Sequence, residues 1–176
     1  MRRSLKQPVP ENRSHTVASR VAIRQHPLHP ILVVYPVAAL TLLPLADVLY
    51  LYLGDPFWAT AAWWLNVLGL VGGLVAAVFG ICDMFLIRVV RRHVSAWIHF
   101  IAGVMLLALA AAGVSLRLPD PAAAIWPWGL LLSGVGLVMV VIVGWLGGAL
   151  TFRHGIGVYG YKAAEEEGGD DSPPAA

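Results

Sequence analysis

Residues 31–53 read ILVVYPVAALTLLPLADVLYLYL, 23 positions in which Asp47 is the only charge. A bilayer core of about 30 Å is crossed by ~20 apolar residues in α-helical form. The stretch is long enough to span, and Pro30 marks its start. Three further stretches of the same kind follow, at about 57–87, 94–116 and 126–152. None alternates apolar and polar residues with a period of two, so a transmembrane barrel is disfavoured. Helices, which satisfy their own backbone hydrogen bonds, are what remains for a chain in lipid.

Composition agrees with that reading. Of 176 residues 59% are hydrophobic and 12% charged, against roughly a quarter charged in a soluble domain. Residues 1–24 hold six Lys/Arg and one Glu, and residues 162–176 hold one Lys against five acids. The 137 residues between carry five arginines and four aspartates. A soluble enzyme, a nucleic-acid-binding domain and a disordered chain are excluded as descriptions of that body. The net charge of +2 is the remainder of two opposed tails. A single cysteine, Cys82, excludes an internal disulfide and any Cys-rich metal motif.

Three segments follow: a basic, flexible tail over 1–24, a transmembrane domain over 25–161 and a disordered acidic tail over 162–176. Residues 1–20 lack the apolar core of a cleavable signal peptide, so the first span is expected to direct insertion. The connections are short: Leu53-Gly-Asp-Pro56, Arg88 to His93, and Arg117-Leu-Pro-Asp-Pro121 with its following alanines. Short connections make consecutive helices antiparallel neighbours, which predicts an all-α, up-down-up-down bundle of four membrane helices. Eleven Lys/Arg flank the spans on the side of the two tails and the Arg88–His93 loop, against Arg117 alone on the other. By the positive-inside rule both termini are cytoplasmic. Trp58, Trp63, Trp64, Trp126 and Trp128 form an interfacial belt on the opposite side.

Some features read first as packing. Gly69-x-x-x-Gly73 and Gly144-x-x-x-Gly148 let helix backbones approach, either inside the bundle or across a homodimer face. Intramolecular packing is the preferred reading. Pro36 and Pro44 should kink the first helix by removing hydrogen bonds.

Ionisable groups inside spans are costly and each raises a functional question. Asp47 reads as a structural acid near the outer interface, with Arg117 as its candidate partner. The other face gathers more: His26 and His29 open the first span, Asp83 lies near the end of the second, His99 near the start of the third, and Arg153-His154 close the fourth. At 1.5 Å per residue, His29, Asp83 and His99 lie roughly 7–10 Å inward from the nearest arginine of that face. Each helix thus contributes one group to a shared cluster. His29 and His99, on diagonal helices, can face each other across the axis. His29 and His99, with His154 and His26 as further candidates, would serve as haem ligands. His29, Asp83, His99 and His154 would alternatively suit a transition metal. The structural alternative is equally specific. His29 before Pro30 is a helix start, and His154 before Gly155 a helix end. His99 and Asp83 would then bond only each other.

The same residues carry a resemblance. His26-Pro-Leu-His-Pro30 leads into a helix reaching Leu45-Ala-Asp47. Gly80-Ile-Cys-Asp83 closes the second span, and Gly144-Trp-Leu-Gly-Gly-Ala-Leu-Thr-Phe-Arg-His-Gly-Ile-Gly-Val158 closes the fourth. Over about residues 25–158 the chain resembles the bacterial four-helix membrane family catalogued as domain of unknown function 2231. The resemblance implies a multi-pass protein of the bacterial inner membrane. Its motifs place polar residues where His26, His29, Asp47, Asp83, His99, Arg153 and His154 stand. Some members are joined to cytochrome c-like domains, which points toward redox. This chain has no Cys-x-x-Cys-His segment, so a covalently attached haem is not expected.

Three function classes remain. The first is a redox-associated membrane subunit holding haem b or a transition metal, with a membrane redox partner or a second copy of itself. The second is a cofactor-free scaffold or accessory subunit. A small transporter or proton pathway is the least supported, because the middles of the spans are plainly apolar. No Ser/His/Asp set, phosphate loop or carboxylate pair supports hydrolysis.

Overall fold

Proline decides where the first span begins and where it breaks. Helix α1 (Leu28–Leu32) takes Pro30 into its first turn, and α2 (Val34–Leu53) resumes after Val33. The break follows from Pro36, whose ring has no N–H to donate and crowds the carbonyl four residues back, at Leu32. Pro44 is carried inside α2.

The computed structural model describes residues 16–158. The expectations for residues 1–15 and for the acidic segment 162–176 lie outside the described residues. Within them, α3 (Pro56–Leu86), a single turn α4 (Arg88–Arg92), α5 (Val94–Arg117), the short α6 (Pro121–Ala124), a kinked turn over Ile125–Gly129 with Trp126 extended, and α7 (Leu130–His154) follow. The turns use the chemistry anticipated for them. Gly54 ends α2 at φ 67°, Asp55 caps α3 by accepting from the Phe57 N–H at 2.9 Å, and Pro56 takes the first helical position. Asp120 caps α6 in the same way, ahead of Pro121.

Four helices are long and apolar enough to cross a membrane: Leu28–Leu53, Pro56–Leu86, Val94–Arg117 and Pro121–His154. They pack as an up-down-up-down bundle. The first span lies against the second and fourth, and the third lies against the same two, which leaves first and third as one diagonal. Large apolar side chains such as Val141, Trp145 and Phe152 face outward, and eight of the 15 buried hydrophobic residues described are alanines. Lipid replaces water outside, so association rests on close backbone approach through small side chains.

The first glycine pair works inside the bundle. A Cβ on Gly69 would strike the Leu40 side chain at 2.4 Å, and one on Gly73 would strike Leu107 at 2.6 Å. Gly144 faces open space, with nothing within 4 Å of its Cβ position.

Residues 16–27 fold over one end of this bundle. Strands β1 (Ala22–Ile23) and β2 (His26–Pro27) form a two-residue hairpin whose turn residues, Arg24 and Gln25, take φ of 47° and 65°. Two successive left-handed residues match the twist of a tight hairpin, at a steric cost that glycine would avoid. Val17 bridges to the chain beyond α7, donating to the Gly155 carbonyl at 3.0 Å and accepting from the Gly157 N–H at 2.8 Å. A small apolar cluster of Met84, Ile87, Val90 and Ala96 lies beneath, with Val17, Leu150 and Ile156 against it.

Candidate functional site

The bundle has two polar centres, one at each end. At the histidine end, His29 of the first span and His99 of the third meet across the diagonal, with ring centroids 6.3 Å apart and planes at 84°. Each ring is held by a neighbouring helix. His29 Nδ1 bonds the Ala76 carbonyl at 2.8 Å, and His99 Nδ1 bonds the Val143 carbonyl at 3.2 Å. A carbonyl only accepts, so Nδ1 carries the proton in both rings. In a neutral imidazole Nε2 then holds the lone pair.

The same local device builds both contacts. Gly80 lies four residues after Ala76 on α3, and Gly147 four residues after Val143 on α7. In an α-helix the carbonyl of residue i points toward residue i+4. A side chain there would cover it. A Cβ on Gly80 would lie 2.9 Å from the His29 ring, and one on Gly147 3.1 Å from the His99 ring. The two glycines are therefore what lets an imidazole lie on each backbone.

The remaining histidine-end groups serve elsewhere. Asp83 accepts from Ser19 Oγ at 2.5 Å and from the Arg20 and Val21 N–H groups at 2.8 and 3.2 Å, pinning the N-terminal segment to α3. His154 stacks at 4.8 Å on His93, from the α4–α5 junction. His26 is exposed, with Nδ1 on the Arg24 carbonyl, and Arg153 is exposed. Among the described residues, no group of three or more His, Cys, Asp or Glu side chains is placed to hold a metal ion. The geometry thus brings together His29 and His99 and leaves Asp83 and His154 apart from them.

At the other end stands a centre of different character. Arg117 Nη2 donates to Asp47 Oδ2 at 2.6 Å, with both side chains fully buried. Ser133 Oγ donates to the same oxygen at 2.6 Å. Asn66, buried to 1% exposure, completes a set in which each span supplies one polar residue. Asn66 and Ser133 escape a reading of charges, although Asn66 is the only asparagine in a span and was detectable as such. Gly113 makes room for this set, since its Cβ would lie 2.5 Å from Asn66 Nδ2.

A family profile described as a predicted membrane protein, DUF2231, matches residues 25–160. The chain belongs to the DUF2231 family. That match covers strand β2, both polar centres and all four spans, and it makes this DUF2231 chain a multi-pass membrane protein. The chain matches no curated protein and no solved structure.

Proposed function

We propose that this DUF2231 protein is a redox-associated membrane subunit that binds a b-type haem between His29 and His99. The observation that carries the reading is the pair of imidazoles anchored through Nδ1, with ring centroids 6.3 Å apart on diagonal helices. His29 and His99 would hold the group through the ring nitrogens that their backbone contacts leave free. A backbone acceptor on the second ring nitrogen is also what orients a ligating histidine and raises its basicity.

The donor set favours haem over a bare ion. A structural zinc takes four protein ligands, whereas haem brings its own equatorial nitrogens and asks the protein for axial ligands only. Two histidines without a third ligand suit the second case. When bound, the group would supply one-electron transfer. The chain's own part is to hold two imidazoles in a fixed tautomer and to surround them with apolar helices, the levers that set a potential.

The histidine end is assigned to the cytoplasmic side of a bacterial inner membrane. Eleven Lys/Arg flank that end. Arg117, the one basic residue of the other end, is neutralised internally by Asp47.

The test is an optical spectrum and metal analysis of the detergent-purified protein, followed by titration with hemin. A Soret band of low-spin, bis-imidazole type is expected for the native chain. It should disappear in His29→Ala and in His99→Ala and persist in His26→Ala and His154→Ala. A colourless chain that takes up no hemin, or a band indifferent to His29→Ala, overturns the haem reading in favour of a cofactor-free accessory subunit.

A further inference from the structure

The Asp47 end holds more hydrogen-bonding capacity than its ion pair consumes. Asn66 Oδ1 and Nδ2, Arg117 Nε and Nη1, and Asp47 Oδ1 are buried and have no hydrogen-bond partner among the described residues. Each such group costs the free energy of its lost hydration unless something meets it. Asn66, Arg117 and Ser133 line one small cavity, walled otherwise by Leu40, Leu43 and Leu106. Its volume is about 10 Å³. That is about the room a single water molecule needs.

We propose that this cavity is the binding site of one ordered water molecule, which bridges the Asn66 amide to the Arg117 guanidinium and through it to Asp47. The donor and acceptor inventory selects the occupant. The lining residues bring unmet donors (on Asn66 Nδ2 and the Arg117 guanidinium) and an unmet acceptor (Asn66 Oδ1), so the occupant must both donate and accept. A cation is repelled by the guanidinium, and an anion by the carboxylate. An apolar molecule leaves every one of these atoms unpaired. Water fits both requirements at the size available, because a buried water both donates and accepts and makes about three hydrogen bonds to otherwise unsatisfied groups. Gly113 also lines the cavity, and because it has no side chain Asn66 Nδ2 and Arg117 Nη1 both lie close to it, at 2.5 and 3.4 Å from where a Cβ would stand. The water completes a clasp in which all four spans share one hydrogen-bonded network: Asp47 from the first, Asn66 from the second, Arg117 from the third and Ser133 from the fourth.

Radiolytic hydroxyl labelling in H2(18)O, on the full chain in lipid nanodiscs, tests the site, because radicals born from a bound internal water mark its neighbours. Leu40, Leu43 and Leu106 are expected to take up 18O several-fold faster than Leu68 and Leu74, which face lipid. Equal, background labelling of the two sets overturns the proposal. Asn66→Leu should bring the cavity leucines down to the lipid-facing rate, and unchanged labelling in that variant overturns the bridge to Asn66. Should Asn66→Leu fail to fold, the comparison of cavity-lining and lipid-facing leucines in the native chain decides the site on its own.

Discussion

The two ends of the bundle treat polar groups in opposite ways. At the Asp47 end, a carboxylate and a guanidinium are fully buried and neutralise each other at 2.6 Å. At the histidine end, two imidazoles bond to backbone carbonyls and direct no hydrogen bond at each other. The first arrangement is closed in charge and carries structure. The second leaves one nitrogen of each ring without a hydrogen bond to the backbone. Burial explains the split, because an unpaired charge in a low-dielectric interior is far more costly than a neutral imidazole with one bond made.

That contrast breaks most sharply at Arg117. Arg117→Met leaves the Asp47 carboxylate buried without compensation and should cost about 3–5 kcal/mol, read as a lower unfolding midpoint in detergent. Combining it with Asp47→Leu should recover most of the loss, since an apolar pair of similar volume is often neutral or better. A double variant as unstable as Arg117→Met would mean that the pair is not a closed unit.

The histidine end responds to its glycines. Gly80→Ala places a methyl 2.9 Å from the His29 ring and should cost about 1–3 kcal/mol while displacing the imidazole from the Ala76 carbonyl. Gly147→Ala, at 3.1 Å from His99, should cost less. Thermal unfolding gives the stability, and imidazole nitrogen NMR shifts report the lost Nδ1 bond. Unshifted imidazole nitrogens in Gly80→Ala would refute the seat described for His29.

A smaller effect separates Asp83 from the histidines beside it. Asp83→Asn should weaken the clamp on residues 19–21 by about 1–2 kcal/mol, seen as faster amide exchange at Arg20 and Val21. Imidazole signals of His29 and His99 should stay in place. Their movement would tie Asp83 to the histidine pair after all.

The smallest change is expected on the outer face. Gly144→Ala adds a methyl in open space and should shift stability by no more than about 0.5 kcal/mol. Light scattering in detergent completes that measurement. An altered oligomeric state in Gly144→Ala would reveal a helix interface at this glycine.

How far these sites can be read from sequence depends on what kind of group answers each residue. Asp47 and Arg117 are legible because Arg117 is the one base at that end and Asp47 the one acid there that lies inside a span rather than in a loop. The diagonal placement of His29 and His99 follows from helix order and short loops. Asp83 is different. Its partners are mostly backbone N–H groups of a segment more than 60 residues away, and backbone groups have no signature in composition. The expectation of a flexible tail up to residue 24 missed the folded part of it for the same reason. Residues 16–24 are held by Asp83 and by the Val17 bridge to the end of the fourth span, and neither contact has a local pattern.

Hydropathy and length alone determine the four helices, because transfer into lipid is a sum over residues that needs no knowledge of neighbours. Proline and glycine alone mark the break at Val33 and the turns at Gly54 and Gly155, because their backbone limits are local. Only the tertiary structure decides that Gly80 and Gly147 seat the two imidazoles, that Nδ1 rather than Nε2 carries the proton, and that Asn66 and Ser133 join the Asp47–Arg117 pair. Those are matters of rotation about each helix axis, which packing between spans sets and which a span's own hydropathy, nearly uniform around its circumference, leaves open.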